Sequence, residues 1–224
     1  MPLRPMVLIA VVAMSTLTLV QSASSQTYPT KPIHLIVPYP AGGGTDFFAR
    51  LVGQKMSELI GQPIVVENKP GAATNLGADF VAKAPPDGYT VLLGDVATYA
   101  ANPSLYKKLP FDPAKDFAPV TLTGRFLSVL VANPNKLKAA VPGLSGFEAW
   151  PWQGFVVPAK TPSAVIGKLR DTYVAAVADP VVRQKLIDAG AEPLQSSPQE
   201  MADHMRKEAA KWAEVIRAAN IQLD

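Results

Sequence analysis

The stretch Pro38-Tyr39-Pro40-Ala41-Gly42-Gly43-Gly44-Thr45-Asp46 constrains this chain more than any other. An apolar run, Ile33 to Val37, precedes it, short and continuous as in a strand buried on both faces of a parallel sheet. After it, Phe48, Leu51, Val52, Met56 and Leu59 recur at helical spacing within Phe47 to Ile60, and Gly61 marks the stop. A strand, a glycine loop and a helix start, in this order, turn backbone N–H groups toward a common point. Consecutive glycines let the backbone approach a ligand without interference from Cβ atoms. Thr45 or Asp46 is placed to cap the helix, whose dipole and unpaired amides favour negative charge. Accepting from a ligand amine is the other role open to Asp46, and capping is the simpler one. The chain points to an anion-binding loop before it points to any reaction.

Two more strand–loop–helix units follow. Ile64 to Glu67 reads as a strand leading into Asn68-Lys69-Pro70-Gly71-Ala72-Ala73-Thr74-Asn75, with a helix from Leu76 to Ala84 behind a candidate Asn75 cap. Pro85-Pro86-Asp87-Gly88 is a turn signal, after which Tyr89 to Leu93 runs into Gly94-Asp95-Val96-Ala97-Thr98-Tyr99. Repeated units of this kind predict an α/β fold with parallel strands flanked by helices. In such sheets ligands sit beyond the carboxyl ends of the strands, which is where the three loops converge. Further on, Val120 to Thr123 and Phe126 to Ala132 read as two strands, and Gly146 to Val157 as an aromatic strand closed by Pro158. Helices are expected from Thr161-Pro162 to Ala178 and from Val181 to Ala189, with a short strand from Glu192 to Gln195. Ser197-Pro198-Gln199-Glu200 opens a last helix with an apolar stripe of Met201, Met205, Trp212, Val215 and Ile216.

Residues 1–25 read as a cleavable export signal, not as part of the fold. Arg4 precedes an apolar stretch from Met6 to Val20, and Ala23 and Ser25 fit the small positions before a cut near Ser25–Gln26. That stretch is shorter than the roughly 20 residues a membrane span needs. The expected location is therefore the periplasm. The chain has no cysteine, which excludes disulfides and thiolate chemistry. Its basic residues are scattered and the net charge is only +3, so no nucleic-acid partner is expected.

Sharper chemical readings fail on spacing. The glycine loop lacks a following Gly-Lys-Ser/Thr, and Phe47 stands where a dinucleotide fingerprint needs its third glycine. Gly143-Leu144-Ser145-Gly146-Phe147 resembles a nucleophile elbow only loosely, and His34 and His204 are the only histidines. No enzyme, cofactor or metal site is expected. Phe147, Trp150, Trp152 and Phe155 read as packing, and Lys69 and Arg125 as solvated charges.

The quoted phrases resemble one family: the extracytoplasmic solute receptors of tripartite tricarboxylate transport systems, known as Bug or TctC-like proteins. The landmarks are Tyr28 to Ile33, Val37 to Asp46, Val66 to Gly71, Pro86 to Tyr89, Asn102 to Tyr106, Asp116 to Val120 and Gly154 to Pro162. The resemblance implies a type II periplasmic-binding-protein fold whose two lobes close on small carboxylates, and a membrane transporter as partner. Carried over by position, it assigns ligand contacts to Tyr39, Ala41, Gly42, Gly43, Gly44, Thr45 and Asp46. It assigns the same to Gly71, Ala72, Ala73, Thr74 and Asn75 of the second loop, and to Ala97 and Thr98 of the third.

The resemblance also breaks in one place. Between Asn135 and Val141 an entire middle region, domain-sized at roughly 100 residues, is missing. What remains is a first lobe, residues 26–135 and 148–224, with a junction at 136–147 where the second lobe belongs. A half-site of this kind leaves a bound carboxylate solvated on one side, so weakened binding is expected. Apolar surface facing the lost lobe is expected to favour self-association. The alternative is a remnant lobe that serves as an interaction or scaffold protein, or a deletion product without function.

Overall fold

The computed structural model describes residues 28–128 and 150–223. The expected export signal, the junction at 136–147 and the Gly143 to Phe147 segment lie outside the described residues.

Strand β1 (Ile33–Val37) is followed by helix α1 (Gly44–Ile60), three residues longer at its start than the apolar spacing alone marks. Gly61 ends α1 in the left-handed region at φ 77°, with its amide donating back to the Ser57 carbonyl, the usual glycine stop. Strand β2 (Ile64–Asn68), helix α2 (Asn75–Ala82) and strand β3 (Thr90–Asp95) complete the expected units. A π-helical turn, Ala97–Ala101, runs into the short helix α3 (Asn102–Leu105). Then come β4 (Phe117–Phe126), β5 (Trp152–Pro158), α4 (Ser163–Ala178), α5 (Pro180–Asp188), β6 (Ala191–Pro193) and α6 (Pro198–Ala218). Among the described residues no helix is long and apolar enough to cross a membrane.

The strands form one sheet in the order β2-β1-β3-β5-β4-β6. β1 pairs parallel with both β2 and β3, while β5 runs antiparallel between β3 and β4, and β6 antiparallel to β4. Thus β1, β2, β3 and β4 share one direction, and β5 and β6 oppose it. Alternation along each strand splits the core between two faces. Leu35, Val37, Leu93 and Phe155 pack with Phe48, Val52 and Met56 of α1 and Leu169 and Tyr173 of α4. On the other face Ile36, Leu92 and Val156 pack with Ala78 and Val81 of α2, Tyr99, and Met201 and Met205 of α6. Each fully buried large side chain contributes about 1.5–3 kcal/mol, so both faces are needed.

One expectation changes. Val120 to Thr123 and Phe126 belong to the single strand β4, not to two strands. Register shifts between Pro119 and Thr121 and between Leu122 and Gly124 bend it without interrupting it; Gly124 looks like a break in sequence but marks a bulge. Of the aromatic residues read as packing, Trp152 and Phe155 are in the core and Trp150 is not. Trp152 and Phe155 lie in opposite core faces, and Trp150 is exposed beneath the Arg125 guanidinium at 4.9 Å.

The described ends on either side of residues 129–149 are neighbours. Arg125 of β4 pairs with Trp152 of β5, and the Phe126 amide donates to the Pro151 carbonyl at 2.9 Å. β4 therefore leaves the sheet, and β5 re-enters it, along the same edge at which β1, β2 and β3 release their loops.

Candidate functional site: three loops at one edge of the sheet

The first loop ends in an uncapped helix. Gly43 is the N-cap of α1, extended at φ −80° and ψ 172°, and no side chain caps the helix. Neither Thr45 nor Asp46 makes the cap expected of it. The opening amides of α1 therefore have neither an intrahelical nor a side-chain acceptor, which is the arrangement that attracts an anion. Gly42 adopts φ 87°, a region that L side chains rarely enter. At Gly43 and Gly44, by contrast, an added Cβ would come no nearer than 3.8 and 3.7 Å to other atoms. Packing does not demand glycine at either position. What the two glycines leave open is outer surface beside the amides, and all of residues 40–44 are exposed.

Asp46 turns inward instead. It is 3% exposed and accepts from the Gly42 amide at 2.8 Å, Arg50 Nε at 3.0 Å and Asn68 Nδ2 at 2.9 Å. Asn68 Nδ2 also donates to the Tyr39 carbonyl at 3.0 Å, and its Oδ1 accepts from Arg50 at 2.9 Å. The Arg50 guanidinium, then the Gly42 amide and Asn68, hold the Asp46 carboxyl at about 2, against the opposing effect of burial. With the Gly42 amide, Arg50 and Asn68 donating to it, Asp46 shapes the loop from behind.

The second and third loops are tied together. Ala72, Ala73 and Thr74 all have positive φ, at 47°, 50° and 79°. Thr74, not Asn75, is the N-cap of α2 and makes no side-chain cap. Asn75 Oδ1 instead accepts from Asn102 Nδ2 at 2.8 Å, and the same amide donates to the Ala73 carbonyl at 2.7 Å. Thr98 Oγ1 donates to Thr74 Oγ1 at 2.9 Å. Asp95, the last residue of β3, accepts from the amides of Ala97 at 3.0 Å and Thr98 at 3.2 Å. It also accepts from the Tyr39 hydroxyl of the first loop. Burial, then the neighbouring Asp95 charge, pushes the Tyr39 phenol well above its usual range, so Tyr39 stays a donor. Tyr39, Asp46, Thr74, Asn75, Ala97 and Thr98 are thus brought into one bonded network that passes through Tyr39, while Ala41, Gly42, Gly43, Gly44, Gly71, Ala72 and Ala73 remain exposed.

Sequence reasoning passed over Arg50, Asn68, Asp95 and Asn102. The available signal was position: Asn68 and Asp95 are the polar residues that close two apolar strands. Gln153 was also missed. It is 1% exposed, neither Oε1 nor Nε2 has a partner, and it stands opposite Asp95 and Gly124. A Cβ on Gly124 would meet Phe48 at 3.3 Å, which puts this pair on the α1 face of the sheet. Tyr99 takes no part in the open site. Its buried hydroxyl accepts from the Gly94 amide at 2.9 Å and donates to the Gly154 carbonyl at 3.1 Å.

Residues 48–141 and 137–221 match the tripartite tricarboxylate transporter family receptor, TctC. BugT of Bordetella pertussis is 44% identical over 116 residues, which are 51% of this chain and 35% of BugT. The chain thus spans about a third of the length of the first curated relatives it matches. A Pseudomonas protein from the tcbD-tcbE intergenic region is 25% identical over 315 positions, covering 95% of this chain and 94% of its own length. That alignment is longer than the 224 residues available here, so it bridges a gap in this chain. Among solved structures, an R. palustris protein solved with adipate superposes with a TM-score of 0.77 at 24% identity. The superposition covers 87% of this chain and 99% of that protein, a likeness of fold. Members of the matched family are solute-binding receptors and not enzymes. This chain, folded as a single periplasmic-binding-protein-like lobe, belongs to the tripartite tricarboxylate transporter receptor family as a shortened member.

Proposed function

We propose that this protein is a periplasmic receptor that holds a small carboxylate on the glycine loop and serves a tripartite tricarboxylate transporter, with binding weakened by the absence of a second lobe. The observation that carries this reading is the uncapped N-terminus of α1 beneath exposed glycines that packing does not require. A carboxylate there would accept from amides that otherwise have only water, with the helix dipole in its favour. The R. palustris neighbour solved with adipate supports a carboxylate as the ligand class. Export by residues 1–25 and location in the periplasm accord with the family. The contacts assigned to Tyr39 through Asp46, Gly71 through Asn75, and Ala97 and Thr98 form the proposed site, with Asp46 and Asn75 acting from behind it. The family match divides at residues 137–141, within the region proposed as the junction.

A thermal-shift screen of the purified protein against di- and tricarboxylates, acidic amino acids and aromatic acids tests the proposal. Binding to the native state raises stability by mass action, about 2.7 kcal/mol at 100 times Kd. The expected result is a shift with one compound class that needs high ligand concentration and disappears in Gly43→Val. That variant fits the fold, because no neighbour lies closer than 3.8 Å to the added Cβ. A cooperative melt that no compound moves would favour the remnant-lobe alternative.

A further inference from the structure

The third loop already holds a carboxylate, and it is the protein's own. Asp95 Oδ1 accepts from the Ala97 amide at 3.0 Å, the Thr98 amide at 3.2 Å and Thr98 Oγ1 at 3.3 Å. Its Oδ2 accepts from the Tyr39 hydroxyl. These amides are the donors that the family resemblance assigns to a ligand carboxylate. Two carboxylates on one set of donors repel, so one must leave or take up a proton. No basic side chain of the first loop's helix offsets Asp95: Arg50 is held by Asp46 and Asn68. Across the strand pair, on the same face, lies the buried amide of Gln153 with neither of its polar atoms partnered. That corner has unused neutral hydrogen-bonding capacity.

We infer that Asp95 sets the ligand class of this receptor: it fills the third loop with an internal carboxylate and leaves the glycine loop, of these two, to take the anion. The preferred ligand has one carboxylate and, at its other end, an ammonium or another hydrogen-bond donor facing Asp95 where a second carboxylate would be rejected. This rests on the carboxylate-receptor reading above and narrows it.

Three five-carbon probes separate the possibilities: glutarate, 5-aminopentanoate and pentanoate. They share a chain length and one carboxylate and differ only at the far end. Calorimetric titration of the intact protein should rank 5-aminopentanoate first and glutarate last, about tenfold apart, the effect of one pKa unit of charge interaction. Asp95→Asn keeps an oxygen for the Ala97 and Thr98 amides but removes the charge, so that the gap should close to within about threefold. Wild-type protein that binds glutarate as tightly as 5-aminopentanoate overturns the inference while leaving the receptor reading intact.

If no probe binds the wild type, the receptor reading loses its support, and amide NMR decides the inference separately. Glutarate should then move the Ala97 and Thr98 amide resonances in Asp95→Ala, where those donors are free, and leave them unmoved in the wild type. Resonances that move in the wild type, or in neither protein, overturn it. Should Asp95→Ala not fold, Asp95→Asn stands in with a stated readout: faster solvent exchange of the Ala97 and Thr98 amides, whose bonds to a neutral acceptor are weaker. Unchanged exchange overturns the inference.

Discussion

With Arg50, Asn68 and the Gly42 amide all donating to it, the Asp46 carboxylate is more favourably charged in the fold than in the unfolded chain. Its folded pKa of about 2 lies below the ordinary 3.8, so its contribution is complete above pH 4 and is lost as pH falls through about 2. The shift corresponds to roughly 2 kcal/mol. Asp46→Asn should therefore lower the urea-unfolding free energy by that amount at pH 7, with the difference from wild type shrinking between pH 4 and 2. Equal stability at pH 7 would mean that the buried network does not hold the loop. The second loop offers the opposite case. Ala73 sits at φ 50° and ψ 51°, where an L side chain costs about 1–2 kcal/mol. Glycine relieves that cost but loses about 0.4–1 kcal/mol through the unfolded chain. Ala73→Gly should raise Tm by about 2 °C; a lower Tm would show that the left-handed turn is not strained.

The elements whose signal is local were legible in the sequence, and those set by distant partners were not. The glycine loop, the Gly61 stop and the Ser197-x-x-Glu200 box each act within a few residues. The box forms in full, with the Glu200 amide donating to Ser197 Oγ at 3.1 Å and the Ser197 amide to Glu200 Oε2 at 2.7 Å. Asn75 looked like a cap because it precedes an apolar helix, yet a side chain 27 positions away, Asn102, claims its oxygen. Asp46 was ambiguous, and Asp95 was passed over, for the same reason: each has a partner distant in sequence, Asn68 and Tyr39. His204 on α6 shows how such a contact changes an element's response to pH. It packs edge-on to Trp152, with ring centroids 4.5 Å apart, and its Nε2 has no partner. Burial lowers its pKa, outweighing the nearby Glu208, while Lys207 and Lys211 lower it further. The neutral ring is the one that fits, so stability present above the unfolded value near 6.5 declines as pH drops below it. Tm should fall between pH 7.5 and 5.5, and His204→Gln should remove most of that fall. A variant with an undiminished fall would place the titration elsewhere.

At the scale of the whole molecule, the proposed position of the junction, between β4 and β5, would let one lobe close without its partner. β4 and β5 are antiparallel neighbours whose flanking ends meet at the Phe126–Pro151 hydrogen bond, and such strands can be joined by a short connection. A parallel pair would have needed a long crossover. Among the described residues the sheet and both core faces are complete, and the edge at which a second lobe is expected carries exposed apolar side chains. Phe47 at the start of α1, Leu76 at the start of α2, Leu127 beyond β4 and Trp150 before β5 are 44%, 59%, 74% and 42% exposed. All four rim the edge from which the ligand loops emerge, and clustered apolar surface of this kind tends to be covered. Pairing of two copies through this rim would also wall off the glycine loops, restoring some of the water exclusion that a single lobe lacks. Sedimentation equilibrium should show reversible dimers whose fraction rises with concentration. Leu127→Ser with Trp150→Ser should shift the protein to monomer without changing its melt, since both side chains are exposed. If the dimer forms through this rim, the double variant should also bind its carboxylate more weakly than wild type at equal concentration. Protein that stays monomeric at high concentration, with affinity independent of concentration, would leave the half-site to work alone.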